Sequence, residues 1–151
     1  MNFWGWGYAD EAVAADEVGP VISHITGQLG ALGAKPATAP RLEDIALAAP
    51  RVSVPGSLAE ICSTEKNDRV VHTYGKSFID YARTLARDFT NAPDVVAYPN
   101  TEREVIDLLD WASRANVAAI PFGAGSSVVG GIEPAVDDSY DGTLTIDLRR
   151  L

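Results

Sequence analysis

The sequence predicts an α+β domain, and three observations carry that prediction. The apolar segment Val95-Val-Ala-Tyr98 is stopped by Pro99 and followed by a helix-capping signal and an amphipathic stretch. A second apolar run, Val117-Ala-Ala-Ile-Pro121, leads directly into a glycine-rich loop. The segment Thr143-Leu-Thr-Ile-Asp-Leu148 then alternates polar and apolar residues. Strand, helix, strand, glycine loop and strand in this order describe a β-α-β unit, for which a right-handed crossover between the first two strands is expected.

The elements divide the chain into three stretches: an N-terminal helical and extended region over 1–56, a helix-rich linker over 57–94, and the β-α-β unit over 95–151. In the first, Pro20 suits the opening turn of a helix that places Ile22, Ile25, Leu29 and Leu32 on one face, with Gly33 just beyond its end. Pro36, Pro40, Pro50 and Pro55 mark an extended connector with one short turn near Leu42–Leu47. In the linker, Ser57 and Glu60 have capping-box spacing before a short Leu58/Ile61/Cys62 helix. Asn67-Asp68 reads as a turn and Arg69-Val-Val-His-Thr73 as a short strand. Ser77 reads as the cap of a helix carrying Phe78, Tyr81, Ala82, Leu85 and Phe89 at helical spacing.

In the third stretch, Thr101 and Glu104 form a capping box, and Glu102 and Glu104 suit the positive end of the helix they open. Val105, Leu108 or Leu109, Ala112 and Ala115 supply its buried stripe, and Asn116 is a left-handed stop. The uniformly apolar run 117–121 predicts a strand covered on both faces. The alternation over 143–148 predicts a strand covered on one face, left as an apolar edge.

Bulk properties exclude several function classes. A net charge of -9, with only 12 Lys and Arg spread thinly, argues against binding a nucleic-acid backbone. It does not exclude an anionic ligand, because backbone amides hold phosphate without basic side chains. The N-terminus has neither a basic start nor an apolar core, so it is no secretory signal, and no apolar run approaches a membrane span of about 20 residues. The single Cys62 rules out an internal disulfide. A cytoplasmic location is the expectation.

The chemistry resides in Pro121-Phe-Gly-Ala-Gly-Ser-Ser-Val-Val-Gly-Gly131, which has four glycines in eleven residues. Glycines here let the backbone adopt positive φ and let a ligand approach the peptide plane. Successive amides then point into one concavity suited to pyrophosphate, with Ser126 and Ser127 as hydroxyl donors. A tight bend between strands needs fewer glycines. Two phosphate motifs fail. The dinucleotide fingerprint requires a third glycine where Val128 stands and a helix that Gly130, Gly131 and Pro134 oppose. Asp147 sits at the distance of a ribose-binding acid, but no crossover helix fits between. Gly75-Lys76-Ser77 resembles the end of a P-loop, yet Val70 occupies the place of its upstream glycine.

The pattern of strand, Tyr98-Pro99, Thr101-Glu102, Glu104-Val105, amphipathic helix, apolar strand and PFGAGSS resembles the first βαβ-type subdomain of the FAD-binding domain shared by the vanillyl-alcohol-oxidase and p-cresol-methylhydroxylase (PCMH-type) flavoproteins. The opening Trp4-Gly5-Trp6-Gly7-Tyr8, the segment His72-Thr-Tyr-Gly-Lys-Ser77 and the run Pro121–Gly131 with Glu133-Pro134 are similar to alkyldihydroxyacetone-phosphate synthases and their bacterial relatives. The resemblance implies that Pro121, Phe122, Gly123, Ala124, Gly125, Ser126 and Ser127 hold the FAD pyrophosphate, mainly through main-chain amides, with Tyr98 and Pro99 near the adenine. Some relatives attach flavin through a histidine where Ser126 stands, so non-covalent FAD is implied. Ala124 replaces a glycine common in relatives and narrows the approach to phosphate.

It implies further that 95–151 is an incomplete first part of that domain, truncated after its third strand, with catalytic residues beyond Leu151. The expected function is FAD binding within an FAD-dependent oxidoreductase, synthase-like and acting in ether-lipid precursor formation. The rivals are a 2-hydroxy-acid dehydrogenase of the same superfamily and a non-catalytic truncated binding module. The implied partners are FAD and a small-molecule or lipid-like substrate, with a homodimer permitted rather than required.

The remaining polar and aromatic residues read more simply. His24 and His72 lack companions at metal-ligand spacing. Asp137-Asp138 with Asp141-Gly142 reads as a solvated turn, Cys62 as core, and Trp4, Trp6 and Tyr8 as a packing cluster ahead of an interface anchor.

Overall fold

A computed structural model describes residues 2–5, 7, 15–29 and 38–151. In chain order its elements are α1 (Ala15–Leu29), β1 (Cys62–Ser63), α2 (Lys66–Val71), α3 (Phe78–Leu85), β2 (Val95–Ala97), α4 (Glu102–Arg114), β3 (Val117–Phe122) and β4 (Gly142–Asp147), with short 3-10 turns at Leu42–Asp44, Gly56–Ile61 and Leu148–Arg150. The strands form one mixed sheet in the order β1-β2-β4-β3. β4 is parallel to both β2 and β3, and β1 is antiparallel to β2. The β-α-β unit expected from the sequence is therefore split, because β4 inserts between the two strands that α4 connects.

α4 forms where its caps and its apolar spacing agree. Thr101 accepts from the Glu104 amide, and the Glu104 carboxylate accepts from the Thr101 amide, so two otherwise orphaned donors are satisfied. Its inner face is Leu108, Trp111 and Ala112, with Ala115 half-buried; Leu109 points outward. That face packs on Val95, Ala97, Val117, Leu144 and Ile146 of the sheet. Each such large side chain contributes about 1.5–3 kcal/mol by leaving water. Asn116 ends the helix at φ 51°, as expected of a left-handed stop.

The strands depart from the sequence reading in an instructive way. β4 is buried at every residue and lies in the interior of the sheet, whereas β3 is the edge and is only partly covered. The alternation in β4 does not separate core from solvent. Leu144 and Ile146 face α4, while Thr143, Thr145 and Asp147 face a second, polar layer that is also buried. In that layer Asp94 accepts from the Thr143 amide, and the Asp147 carboxylate meets His72. An edge position for β3 suits Pro121, which has no N–H to give a further strand.

Other elements are corrected too. Asn67–Val71 lies in helix α2 rather than a turn and strand; Arg69 and Val70 are its buried residues. Ser57 caps nothing: Pro55 is the N-cap of a 3-10 turn, and Cys62 belongs to β1. Ser77 does cap α3, in a full capping box with Asp80, but Phe78 on that helix is 86% exposed. In α1, Pro20 is interior rather than in the first turn, and Ile22 and Ile25 are exposed. Leu32, Gly33 and Pro36, and the Leu29 side chain, lie outside the described residues, as do Trp6 and Tyr8. The connector supplies core: Ile45 joins Val70, Tyr74 and Phe89, with Phe3, Leu42 and Leu47 packed against them.

Candidate functional site

The glycine loop leaves the sheet at the C-terminal end of β3. Phe122, the last strand residue, is fully buried, and its ring lies 4.4 Å from the His72 imidazole and 5.7 Å from the Arg149 guanidinium. The chain then doubles back over that ring. Gly125 has φ +69°, and a Cβ there would lie 2.7 Å from Phe122 Cζ. Only glycine combines this backbone with this contact. Gly123, Ala124 and Ser126 are exposed around it, and Ser127 is half-buried.

The main-chain donors of this bend are unused. The amides of Ala124, Gly125, Ser126 and Ser127 donate to no other described residue, although Gly125 is buried. A run of unpartnered amides in a bend is a ready site for anionic oxygens to accept from. The residues present therefore fit a pyrophosphate held through the main chain. The Phe122 side chain is turned inward, and Pro121 has no amide to offer.

The loop is held in place by Gly75, Lys76 and Ser77, which the sequence excluded as a P-loop. The Lys76 amide donates to the Ser127 carbonyl at 2.6 Å. Gly75 lies so close that a Cβ would come within 2.1 Å of that oxygen. Lys76 Nζ turns away to the carbonyls of Gly5 (2.8 Å) and Asn2 (3.3 Å), and burial lowers the pKa of its ammonium group. Ser77 caps α3. Gly75-Lys76-Ser77 thus serves as a buttress for the glycine loop. The only signal for this in the sequence was an unexplained glycine before a cap.

Beneath the loop, the His72 ring is held between the Asp68 carbonyl, 2.7 Å from Nδ1, and the Asp147 carboxylate, 3.0 Å from Nε2. Asp147 also accepts from the Arg149 amide and guanidinium. Burial alone would raise the Asp147 carboxyl, but the hydrogen bonds from Arg149 and His72 outweigh it and hold it below the usual value. Asp147 is 1% exposed, so the acid at ribose-binding distance in the sequence is a structural partner of His72. Tyr98 packs edge-on to His72 at 5.6 Å and under Arg150. Burial, at its largest, pushes its hydroxyl pKa up. Among the described residues no three potential metal ligands cluster. Burial pushes the half-buried Cys62 thiol up to about 11, so it is no thiolate at neutral pH.

The mouth of the loop is apolar. Phe78, Ile79, Val128 and Val129 are exposed around an open depression of about 480 Å³ that also meets Asp80 and Glu133.

Known proteins share this sequence and fold. Residues 93–151 match the FAD binding domain family. The chain is 40% identical over 87 residues to an alkyldihydroxyacetonephosphate synthase of Dictyostelium discoideum, covering 58% of this chain and 14% of that protein. It is 32% identical over 83 residues to the synthase of Trypanosoma brucei brucei, covering 55% of this chain and 14% of that one. One solved alkyldihydroxyacetonephosphate synthase structure superposes with a TM-score of 0.75 at 25% identity, covering 99% of this chain and 33% of its own. Another does so with a TM-score of 0.64 at 32% identity, covering 74% of this chain and 22% of its own. The chain thus spans a small part of the relatives it matches. Its α+β architecture is that of the PCMH-type FAD-binding fold, residues 93–151 match the FAD binding domain family, and the chain resembles the alkyldihydroxyacetonephosphate synthases.

Proposed function

We propose that residues 121–127 hold the pyrophosphate of a non-covalently bound FAD, within an FAD-dependent enzyme similar to alkyldihydroxyacetonephosphate synthase. The observation that carries this reading is the run of unpartnered amides at Ala124–Ser127 in a bend that Gly125 and Phe122 hold open. Such converging donors favour charged phosphate oxygens without basic side chains. Ser126 and Ser127 add hydroxyls, and Ser126 offers no imidazole for attachment to the flavin. Bound FAD would supply two-electron redox chemistry. The chain's own part is to grip the diphosphate and hold Tyr98 and Pro99 for the adenine end, all within the unit 95–151.

Similarity to the synthases supports a finer reading, in which the whole protein exchanges the acyl group of an acylated dihydroxyacetone phosphate for a long-chain alcohol. The apolar rim of Phe78, Ile79, Val128 and Val129 suits a lipid-like substrate.

Titration with FAD, followed by quenching of flavin fluorescence, tests the site. Saturable binding that is lost in Gly125→Val, with the flavin released on denaturation, is expected. Unchanged FAD affinity in that variant would remove the loop from the site, and flavin that stays with the denatured chain would refute the non-covalent reading.

A further inference from the structure

We propose that a cavity at the opposite end of the sheet from the glycine loop binds a small monocarboxylate with a short apolar body. Strands β2, β3 and β4 run parallel, and the glycine loop follows their C-terminal ends. The cavity, about 200 Å³, opens beside Asp94, which immediately precedes β2 and is bonded to Thr143 at the start of β4. Roughly 13 Å of strand separates Thr143 from Asp147 at the far end. The two sites are therefore distinct.

Arg69 carries the proposal. It is 5% exposed and lines the cavity. Its Nε donates to the Pro93 carbonyl (2.6 Å) and one amino group to the Ala48 carbonyl (2.9 Å); the second amino group has no partner among the described residues. No carboxylate pairs with it directly. Asp94, the acid in the cavity wall, is already taken: it accepts from the Arg51 amide and guanidinium and from the Thr143 amide and hydroxyl. The second amino group opens onto the cavity, where a further acceptor can complete the guanidinium.

Charge and shape then choose the ligand. Arg51 and Arg69 against Asp94 leave the wall with one net positive charge in a chain of net charge -9; Asp138 acts on Arg51 from outside the wall. One negative charge balances it, and a planar carboxylate matches the free edge of a guanidinium. The rest of the wall is mixed: Ala48, Phe89 and Val136 offer apolar contact, and Thr90 and Asn91 are polar. Asn91, whose amide already donates to Glu133, stands at the polar end.

The test is a titration of the isotope-labelled protein with sodium butyrate, read at the Arg69 Nε–H and Asn91 side-chain resonances, with sodium chloride as the control. Saturable shifts are expected, with butyrate binding roughly tenfold tighter than acetate because two further methylenes are buried. In Val136→Asp, at a half-buried rim position, the shifts should vanish. Absence of saturable shifts in the unaltered protein, equal shifts with chloride, or undiminished binding in Val136→Asp would overturn the proposal. Displacement of butyrate by an equal concentration of inorganic phosphate would overturn the carboxylate assignment. FAD titration of the same samples reports on the glycine loop separately, so failure at either site is distinguishable from failure at the other.

Discussion

Gly75 and Ser127 touch so closely that a methyl group at position 75 would sit 2.1 Å from the Ser127 carbonyl oxygen. That oxygen accepts from the amide of Lys76, so the residue after Gly75 holds the glycine loop and Gly75 itself admits it. Gly75→Ala must push the loop away or break this bond. Overpacking of this kind costs about 1–3 kcal/mol. FAD affinity should fall by roughly tenfold or more. Flavin titration of the variant measures it, with a thermal melt as control; wild-type affinity would mean that the buttress does not set the geometry of the loop.

Acid should unfold the protein through two buried carboxylates. At Asp94 and at Asp147 burial raises the carboxyl, but hydrogen bonds outweigh it, from Arg51 and Thr143 at the first and from Arg149 and His72 at the second. Both folded values therefore lie below the unfolded value of about 3.9. A depressed folded value contributes stability that is present above the unfolded value and is lost as pH falls through the folded one. Urea midpoints measured from pH 7 downward should hold until about pH 5 and drop steeply below about pH 4. Asp94→Asn should lower stability at neutral pH and flatten the acid limb; an unchanged limb would place the acid sensitivity elsewhere.

Thr101→Ala removes the side-chain acceptor of the α4 capping box, at an exposed position remote from the core. Caps of this kind contribute about 1 kcal/mol. Denaturant unfolding should show that loss with the slope unchanged, and FAD binding should stay as it was. A loss several times larger would mean that Thr101 does more than cap.

Trp111 is 6% exposed and fills the space between α4 and the sheet. Trp111→Ala should destabilise the fold by about 3–5 kcal/mol, the cost of losing the buried ring and leaving a cavity. Chemical denaturation followed by far-ultraviolet circular dichroism checks this without relying on the lost fluorophore. A change below about 1 kcal/mol would show that α4 is not seated by this residue.

Local chemistry was legible wherever a few adjacent residues decide the outcome. Thr101 and Glu104, Ser77 as a cap, Asn116 in the left-handed region and the glycine bend all behave as their residue types require. The reading failed where a short segment had two local solutions. Arg69-Val-Val-His-Thr73 is apolar and β-branched enough for a strand. Yet Arg69 and Val70 are buried on the helix α2, where Arg69 reaches the carbonyls of Ala48 and Pro93 from distant segments. Ser57 had capping spacing but lies within a turn that Pro55 opens.

The sequence by itself determined that this chain holds an α+β unit and that its glycine loop follows a strand and bends sharply, because propensity, capping and φ preference act over a few residues. Tertiary structure alone decided the order of the strands. The alternation of Thr143, Leu144, Thr145 and Ile146 says that the two faces of β4 differ, not that either meets water. Here the polar face is buried as well, its Asp147 matched by His72 from 75 residues earlier in the chain. Hydrogen-bond partners so far apart leave no periodic trace, so the interior place of β4, and the exposed edge that falls to β3 instead, follow from packing alone.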